Sequence, residues 1–120
     1  EDKLEEVVLD SIVKKGLTLT TIESGLDGIL ARKVPHTVSL PGLNPASLMD
    51  ALRAARANSH ADIALGVSIY PEDRSAEMAM ITPHGEKTHR ITYGGPPRSL
   101  PYWAMNLALN WLRMTIEEID

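Results

Sequence analysis

The chain has no cysteine among its 120 residues, which removes disulfides, thiolate metal sites, cysteine nucleophiles and iron–sulfur clusters together. No apolar run approaches the roughly 18 residues that a membrane-spanning helix needs, and no signal-peptide pattern is present. A cytoplasmic protein without a membrane partner is therefore expected. A basic excess is also missing: 12 Lys+Arg stand against 16 Asp+Glu, for a net charge of −4. Residues 1–60 carry 7 basic and 8 acidic residues, residues 61–120 carry 5 and 8, and the aromatics are not interleaved with basic residues. Neutralising a phosphate backbone needs such a patch, so nucleic acid is not an expected partner. The chain opens at Glu1 rather than Met, which reads as a trimmed or partial chain.

What remains suits a single domain over residues 1–120. At this length folding buries roughly 65–70% of the unfolded chain's surface, enough for a real core. No internal repeat or low-complexity segment interrupts it.

Residues 2–15 read as an amphipathic helix, with Leu4, Val7, Val8 and Ile12 at helical spacing and Gly16 as its stop. Residues 17–22 alternate and are β-branched, so they form the first strand. Ser24-Gly25-Leu26-Asp27 has capping-box spacing, which opens a helix running to about Lys33. His36–Leu40 is open between a short strand and a loop. Asn44-Pro45 starts the next helix, since Asn caps and Pro loses nothing at the first helical position. Asp62–Tyr70 is continuously apolar, as in a strand covered on both faces. Ser75–Thr82 and Lys87–Tyr93 pair as a hairpin around Pro83-His84-Gly85-Glu86, and a last helix runs from about Ser99 to Glu117.

In open α/β sheets, ligands bind beyond the carboxyl ends of parallel strands. Those ends carry Glu23 and Ser24 after the first strand, and Ser68 and Tyr70 after the central one. Amides near Gly25, Leu26 and Asp27 suit an anion or an oxyanion, although Asp27 competes with it. Ser24 has two readings, a helix cap and a nucleophile. Glu23 reads as a solvated or cap-adjacent carboxylate, or as a general base. His84 and His89 flank a turn and are ordinary surface residues unless a third ligand joins them, so no metal is expected.

Residues 19–28, Leu-Thr-Thr-Ile-Glu-Ser-Gly-Leu-Asp-Gly, resemble the A-E-S-C-T-G-G turn of the CinA C-terminal domain, the nicotinamide-nucleotide amidase family. His60–Ser68 resembles that family's A-D-L-A-L-A-V-T-G strand, and the hairpin Met78–Tyr93 with Pro83-His84-Gly85 is similar to its hairpin. Members remove the amide of nicotinamide mononucleotide as ammonia. The resemblance implies a three-layer α/β/α sandwich with a mixed, partly parallel sheet of four or five strands. It places the family's nucleophilic serine at Ser24; beside it, Glu23 and the expected ligand contacts at Gly25, Gly28, Ser68 and Tyr70 complete the candidate site, with no cofactor expected.

Three departures bear on activity. The Y-S-N-x-x-K segment that supplies the family's lysine and tyrosine has no counterpart between Leu40 and Asn44. T-G-I-A-G-P-D-G-G is reduced to residues 68–73, and Pro96-Pro97 replace the Asp-Arg of F-x-G-D-R. A serine hydroxyl needs a positioned base. Lys33 lies nine residues from Ser24, roughly 13 Å along a helix, which is too far. The expected function is therefore a domain that has lost amidase chemistry and serves as a nucleotide-binding or assembly module. The alternative is a divergent amidohydrolase acting through Ser24.

The last helix carries two apolar stripes. Met105, Ala108, Leu109, Leu112 and Ile116 dock it on a sheet, and Trp103, Leu107, Trp111 and Met114 lie beside them. The second stripe predicts a homodimer through this C-terminal helix, unless the N-terminal helix covers it.

Overall fold

The computed structural model describes residues 3–40 and 47–119. The apolar run after Asp62 decides the architecture. It forms strand β3 (Ile63–Tyr70), in which every residue but Tyr70 is buried. Such a strand has to be flanked by strands at both edges and covered on both faces. Strand β1 (Leu19–Ser24) runs parallel to it, in register from Leu19 opposite Ile63 to Ser24 opposite Ser68. Strand β4 (Ser75–Thr82) runs antiparallel on its other side. Strand β2 (Val38–Leu40) pairs parallel with β1, and β5 (Gly85–Thr92) pairs antiparallel with β4. The sheet is mixed and five-stranded, in the order β2-β1-β3-β4-β5.

Side chains alternate across a sheet, and each face finds its own cover. On one face, helix α1 (Leu4–Lys14), the short helix α2 (Ile29–Lys33) and helix α4 (Leu100–Glu118) pack over Leu65, Val67, Met78 and Met80. On the other, helix α3 (Leu48–Ser59) lays Leu48 and Leu52 on Ile22, Ala64, Ala79 and Ile81. This is the expected three-layer α/β/α sandwich. The first and last helices are also tied end to end. The Lys15 ammonium donates to the main-chain oxygens of Ile116, at 2.6 Å, and of Ile119. A cation there complements the negative end of the α4 dipole.

Several boundaries differ from the sequence expectations. The first strand begins and ends two residues later, because Thr18 is held outside it. Its N–H donates to Asp62 Oδ2 at 2.9 Å, and its hydroxyl accepts the Asp62 N–H at 3.0 Å. The helix expected from Ser24 begins only at Ile29, with Gly28 at its N-cap and no side-chain cap. Ser24 is still strand, paired with Leu40 and Ser68. The chain then turns through left-handed backbone at Gly25, Asp27 and Gly28 (φ 82°, 54° and 82°), so capping-box spacing falls on a turn. His36–Leu40 resolves into the three-residue β2. The Asn44-Pro45 start signal lies outside the described residues. In the hairpin, Thr82 opposes Gly85, so Pro83 and His84 alone make the turn.

The second stripe of α4 finds cover inside the chain. Trp103 packs on Tyr93 and Trp111 meets His89 edge-on, each with ring centroids 4.6 Å apart. Trp103, Leu107 and Trp111 are half-buried, while Met114 is 44% exposed. The strand beside α4 thus supplies part of the cover that the sequence reading sought in α1 or in a second copy.

Helix α3 sits close on the sheet because β3 carries Gly66 beneath it. A Cβ there would lie 3.0 Å from Leu48 Cδ1 and 3.2 Å from Ile22 Cγ1. Gly66→Val is expected to destabilise the fold by about 1–3 kcal/mol through overpacking. Urea unfolding checks this as a lower midpoint with an unchanged slope.

Candidate functional site

Ser24 and Ser68 end the two central parallel strands directly opposite each other, as their places in the sequence predict. Both are buried, at 2% and 1% exposure, so neither stands in an open cleft. Their side chains continue the Ile22 and Ala64 rows and therefore lie on the α3 face. The next strands extend this row: Glu77 opposes Ser68, and Arg90 opposes Glu77. Tyr70, two residues beyond Ser68, donates its hydroxyl to Glu77 Oε1 at 2.9 Å. The Arg90 guanidinium stands over the Tyr70 ring at 5.0 Å and donates to Asp73 at 3.3 Å and to Ser75 at 3.4 Å. The outcome is one polar row, Ser24–Ser68–Glu77–Arg90, across four strands.

Within that row the Ser68 hydroxyl is buried and makes no hydrogen bond. Burial is the main force raising the Tyr70 phenol above its ordinary value. The nearby Ser68 hydroxyl tempers that rise without reaching hydrogen-bonding geometry, Glu77 adds to it, and the Arg90 charge opposes it. Glu77 and Arg90 were absent from the sequence-level candidates. The available signal was a glutamate set between Ala76 and Met78 in a strand otherwise destined for the core.

Glu23 lies on the other face and is neither solvated nor placed as a base. It is 1% exposed, with Oε1 accepting the Gly28 N–H at 2.9 Å and Oε2 accepting the Ala31 N–H at 2.6 Å. The protein's own carboxylate thus takes main-chain donors at the start of α2, beside the amides to which the sequence reading assigned an anion. Gly25 packs tightly on β3: a Cβ there would stand 2.9 Å from Ile69 Cγ1 and 3.3 Å from the Ile69 oxygen. Gly25 and Gly28 line a hollow of about 340 Å³ with Glu23, Asp27, Ser39 and Leu40. Ser68 and Tyr70 are not part of its lining. The sheet therefore divides the expected site in two, with Ser24, Ser68 and Tyr70 on one side and Glu23 on the other.

No lysine or histidine shares the Ser24 corner. Lys3, Lys14 and Lys15 belong to α1 or its flanks, and Lys33 ends α2, 3.6 Å from Glu5. Lys87 opposes Met80, whose side chain is on the α1–α4 face. His36 borders a groove with Thr20, Asn58 and Ser59, towards the start of β1. His60 follows α3 just before β3 begins, and His84 is in the turn next to Thr82, at that same edge of the sheet. His89 is engaged with Trp111. Residues 41–46 contain neither lysine nor histidine.

No family model matches the chain, and no curated protein matches it by sequence. Solved structures do match it along its whole length. A competence-damaged protein (CinA) superfamily protein of Klebsiella pneumoniae superposes with a TM-score of 0.83 at 18% identity, covering 98% of this chain and 100% of that one. The fold is that of the CinA superfamily. Competence damage-inducible protein A of Klebsiella pneumoniae subsp. pneumoniae matches with a TM-score of 0.81 at 18% identity, over 99% of this chain and 100% of that chain. A CinA superfamily protein of Enterobacter cloacae gives 0.79 at 17% identity, over 97% and 95%. The element order α-β-α-(β)-α-β-β-β-α read from the sequence, its open second strand now formed as β2, is thus a CinA-like architecture.

Two predictions follow from the geometry of this CinA-like corner. Glu23→Gln turns an acceptor into a donor facing a main-chain N–H, and is expected to cost about 1–3 kcal/mol in chemical denaturation. Hydrogen exchange at Gly28 and Ala31 should accelerate with it. Tyr70→Phe should remove from the alkaline absorbance titration a phenol that ionises above the ordinary value of 10.0. The unfolded phenol ionises first as pH rises. This group therefore lowers stability progressively above the unfolded value, and that share of the alkaline decline should be absent from Tyr70→Phe.

Proposed function

We propose that residues 1–120 form a single CinA-like domain that has lost nicotinamide-nucleotide amidase chemistry and binds a small nucleotide ligand at its strand ends. The observation that carries this reading is the placement of the bases. All five lysines stand on or beside the α1–α4 face of the sheet, whereas Ser24 is on the α3 face. A serine hydroxyl needs a positioned base to become a strong nucleophile, and no lysine stands on the Ser24 face among the described residues. The binding role assigned to the row rests on its chemistry: Arg90 for an anionic group, Tyr70 for a ring, and the Ser68 hydroxyl as a polar contact. Gly25 and Gly28 would contribute main chain on the far side of Ser24. The reading needs no cofactor, and it places the protein in the cytoplasm. No helix among the described residues is long and apolar enough to cross a membrane.

One observation favours retained turnover instead. Glu77 stands two strands from Ser24 with Ser68 between them, roughly 10 Å at ordinary strand spacing, and already accepts a hydrogen bond from the Tyr70 hydroxyl. Under that reading, Ser24 Oγ adds to the amide carbon while its proton passes through Ser68 towards Glu77; the C–N bond then breaks as that proton returns to the leaving nitrogen, giving ammonia and an acyl-serine that water hydrolyses to the acid. Ammonia release from nicotinamide mononucleotide separates the two. None is expected from the folded wild type, whereas release abolished in both Ser24→Ala and Glu77→Gln would overturn the proposal. Calorimetric binding of the mononucleotide should weaken about tenfold in Arg90→Ala, the loss of one charge-assisted contact.

Self-association belongs to the same reading. Met114 and Tyr102, at 44% and 52% exposure, are what α4 itself still offers a second copy, since Trp103 and Trp111 already rest on Tyr93 and His89.

A further inference from the structure

Strand β5 closes the sheet order and, among the described residues, has β4 as its one neighbouring strand. Every one of its residues except Ile91 is exposed. An eight-residue edge of this kind presents a row of unused main-chain donors and acceptors to another strand. Its outward residues follow from one bond. The Tyr93 N–H donates inward to Arg74 O at 2.7 Å, so by alternation Ile91, His89 and Lys87 also face β4. Glu86, Thr88, Arg90 and Thr92 then direct their N–H and C=O groups away from the sheet.

We propose that β5 is the interface with a second copy of this chain, pairing antiparallel about a two-fold axis at Thr88 so that two sheets become one. This rests on the reading that the chain self-associates, and it moves the contact from α4 to the neighbouring strand. Charge complementarity selects both the occupant and the register. With the axis at Thr88, Glu86 opposes the partner's Arg90, Arg90 opposes the partner's Glu86, and threonine meets threonine at the centre. Moving the axis by one residue sets Lys87 against its own copy or His89 against its own copy. Moving it by two sets Glu86 against glutamate or Arg90 against arginine. Only the Thr88 register makes each charge on the outward row face its opposite. The pairing supplies about six main-chain hydrogen bonds, two from each outward pair.

The neighbours of those charges fit this register as well. Arg53 holds Glu86 through both carboxylate oxygens, at 2.7 and 2.8 Å, and Asp73 approaches Arg90 at 3.3 Å. In the pair these become an alternating chain on each side of the axis: Arg53, Glu86, the partner's Arg90, the partner's Asp73. The Arg53 guanidinium holds Glu86 below the usual carboxylate range, so its charge persists at neutral pH.

A single strand-to-strand contact is narrow and belongs to the weak, transient class of interfaces. Sedimentation equilibrium over tens to hundreds of micromolar should show a monomer–dimer equilibrium for the wild type. Glu86→Arg alone and Arg90→Glu alone should each weaken it by about tenfold or more, since like charges then oppose across both symmetric pairs. An equimolar mixture of these two variants should restore it. One chain then carries two acids and the other two bases, so every cross-strand pair is opposite in sign. Thr88→Pro should abolish association while leaving the fold intact, because its N–H does not serve β4. A wild type that stays monomeric throughout would end both this proposal and the self-association it rests on. A dimer that survives Thr88→Pro, or that Met114→Glu rather than the charge variants abolishes, would leave self-association standing and overturn β5 as its site. A mixture that does not regain the dimer overturns the register.

Discussion

Everything in this molecule depends on β3 being apolar on both faces. A strand of that kind cannot stand at an edge or face water, so the chain must supply a strand on each side of it and helices above and below. The two covers are unequal. One face receives α1, α2 and α4, and the other receives α3 alone, drawn close because Gly66 leaves room for Leu48 and Ile22. The asymmetry decides where polar groups can survive. Towards the carboxyl ends of β1 and β3 the apolar α3 cluster gives way to Ser24, Ser68, Glu77 and Tyr70, on the same face.

Much of this was legible in the residues, and the exceptions have a common cause. The run after Asp62 named the central strand, and the parallel pairing of Ser24 with Ser68 followed from helices intervening between two apolar strands. Patterns that report on local burial read correctly: the amphipathic α1, the docking stripe of α4 and the hairpin. Patterns that report on capping did not. The Ser24–Asp27 spacing is that of a helix start, yet those residues spend their conformational freedom leaving a strand. Glu23 is the sharper case. It reads as a solvated or cap-adjacent carboxylate or as a general base, and only the folded chain shows that main-chain groups at the start of α2 donate to it. Glu77 and Arg90 were invisible because their meaning lies in register, which belongs to two or three strands at once.

The division of Ser24 from Glu23 bears on what chemistry this strand end can support. Neighbouring residues in a strand point to opposite faces, so a serine and a glutamate adjacent in sequence do not make a nucleophile and base. Any base for Ser24 has to arrive from another element on the α3 face. Among the described residues, those that extend the Ser24 row there are a serine, a tyrosine, a glutamate and an arginine. The fold keeps Ser24 and Ser68 side by side at the strand ends, while its lysines stand on or beside the other face of the sheet.

The bond from Lys15 to the last turn of α4 spans almost the whole chain. Part of the cover of β3 on the α1–α4 face, α4 itself, is therefore made after β3 and is secured by a residue made before it. During synthesis, β3 carries apolar residues on that face whose full cover arrives only with α4. A chain built in this order has every reason to fold late and all at once, and is most exposed to unwanted partners while still being translated.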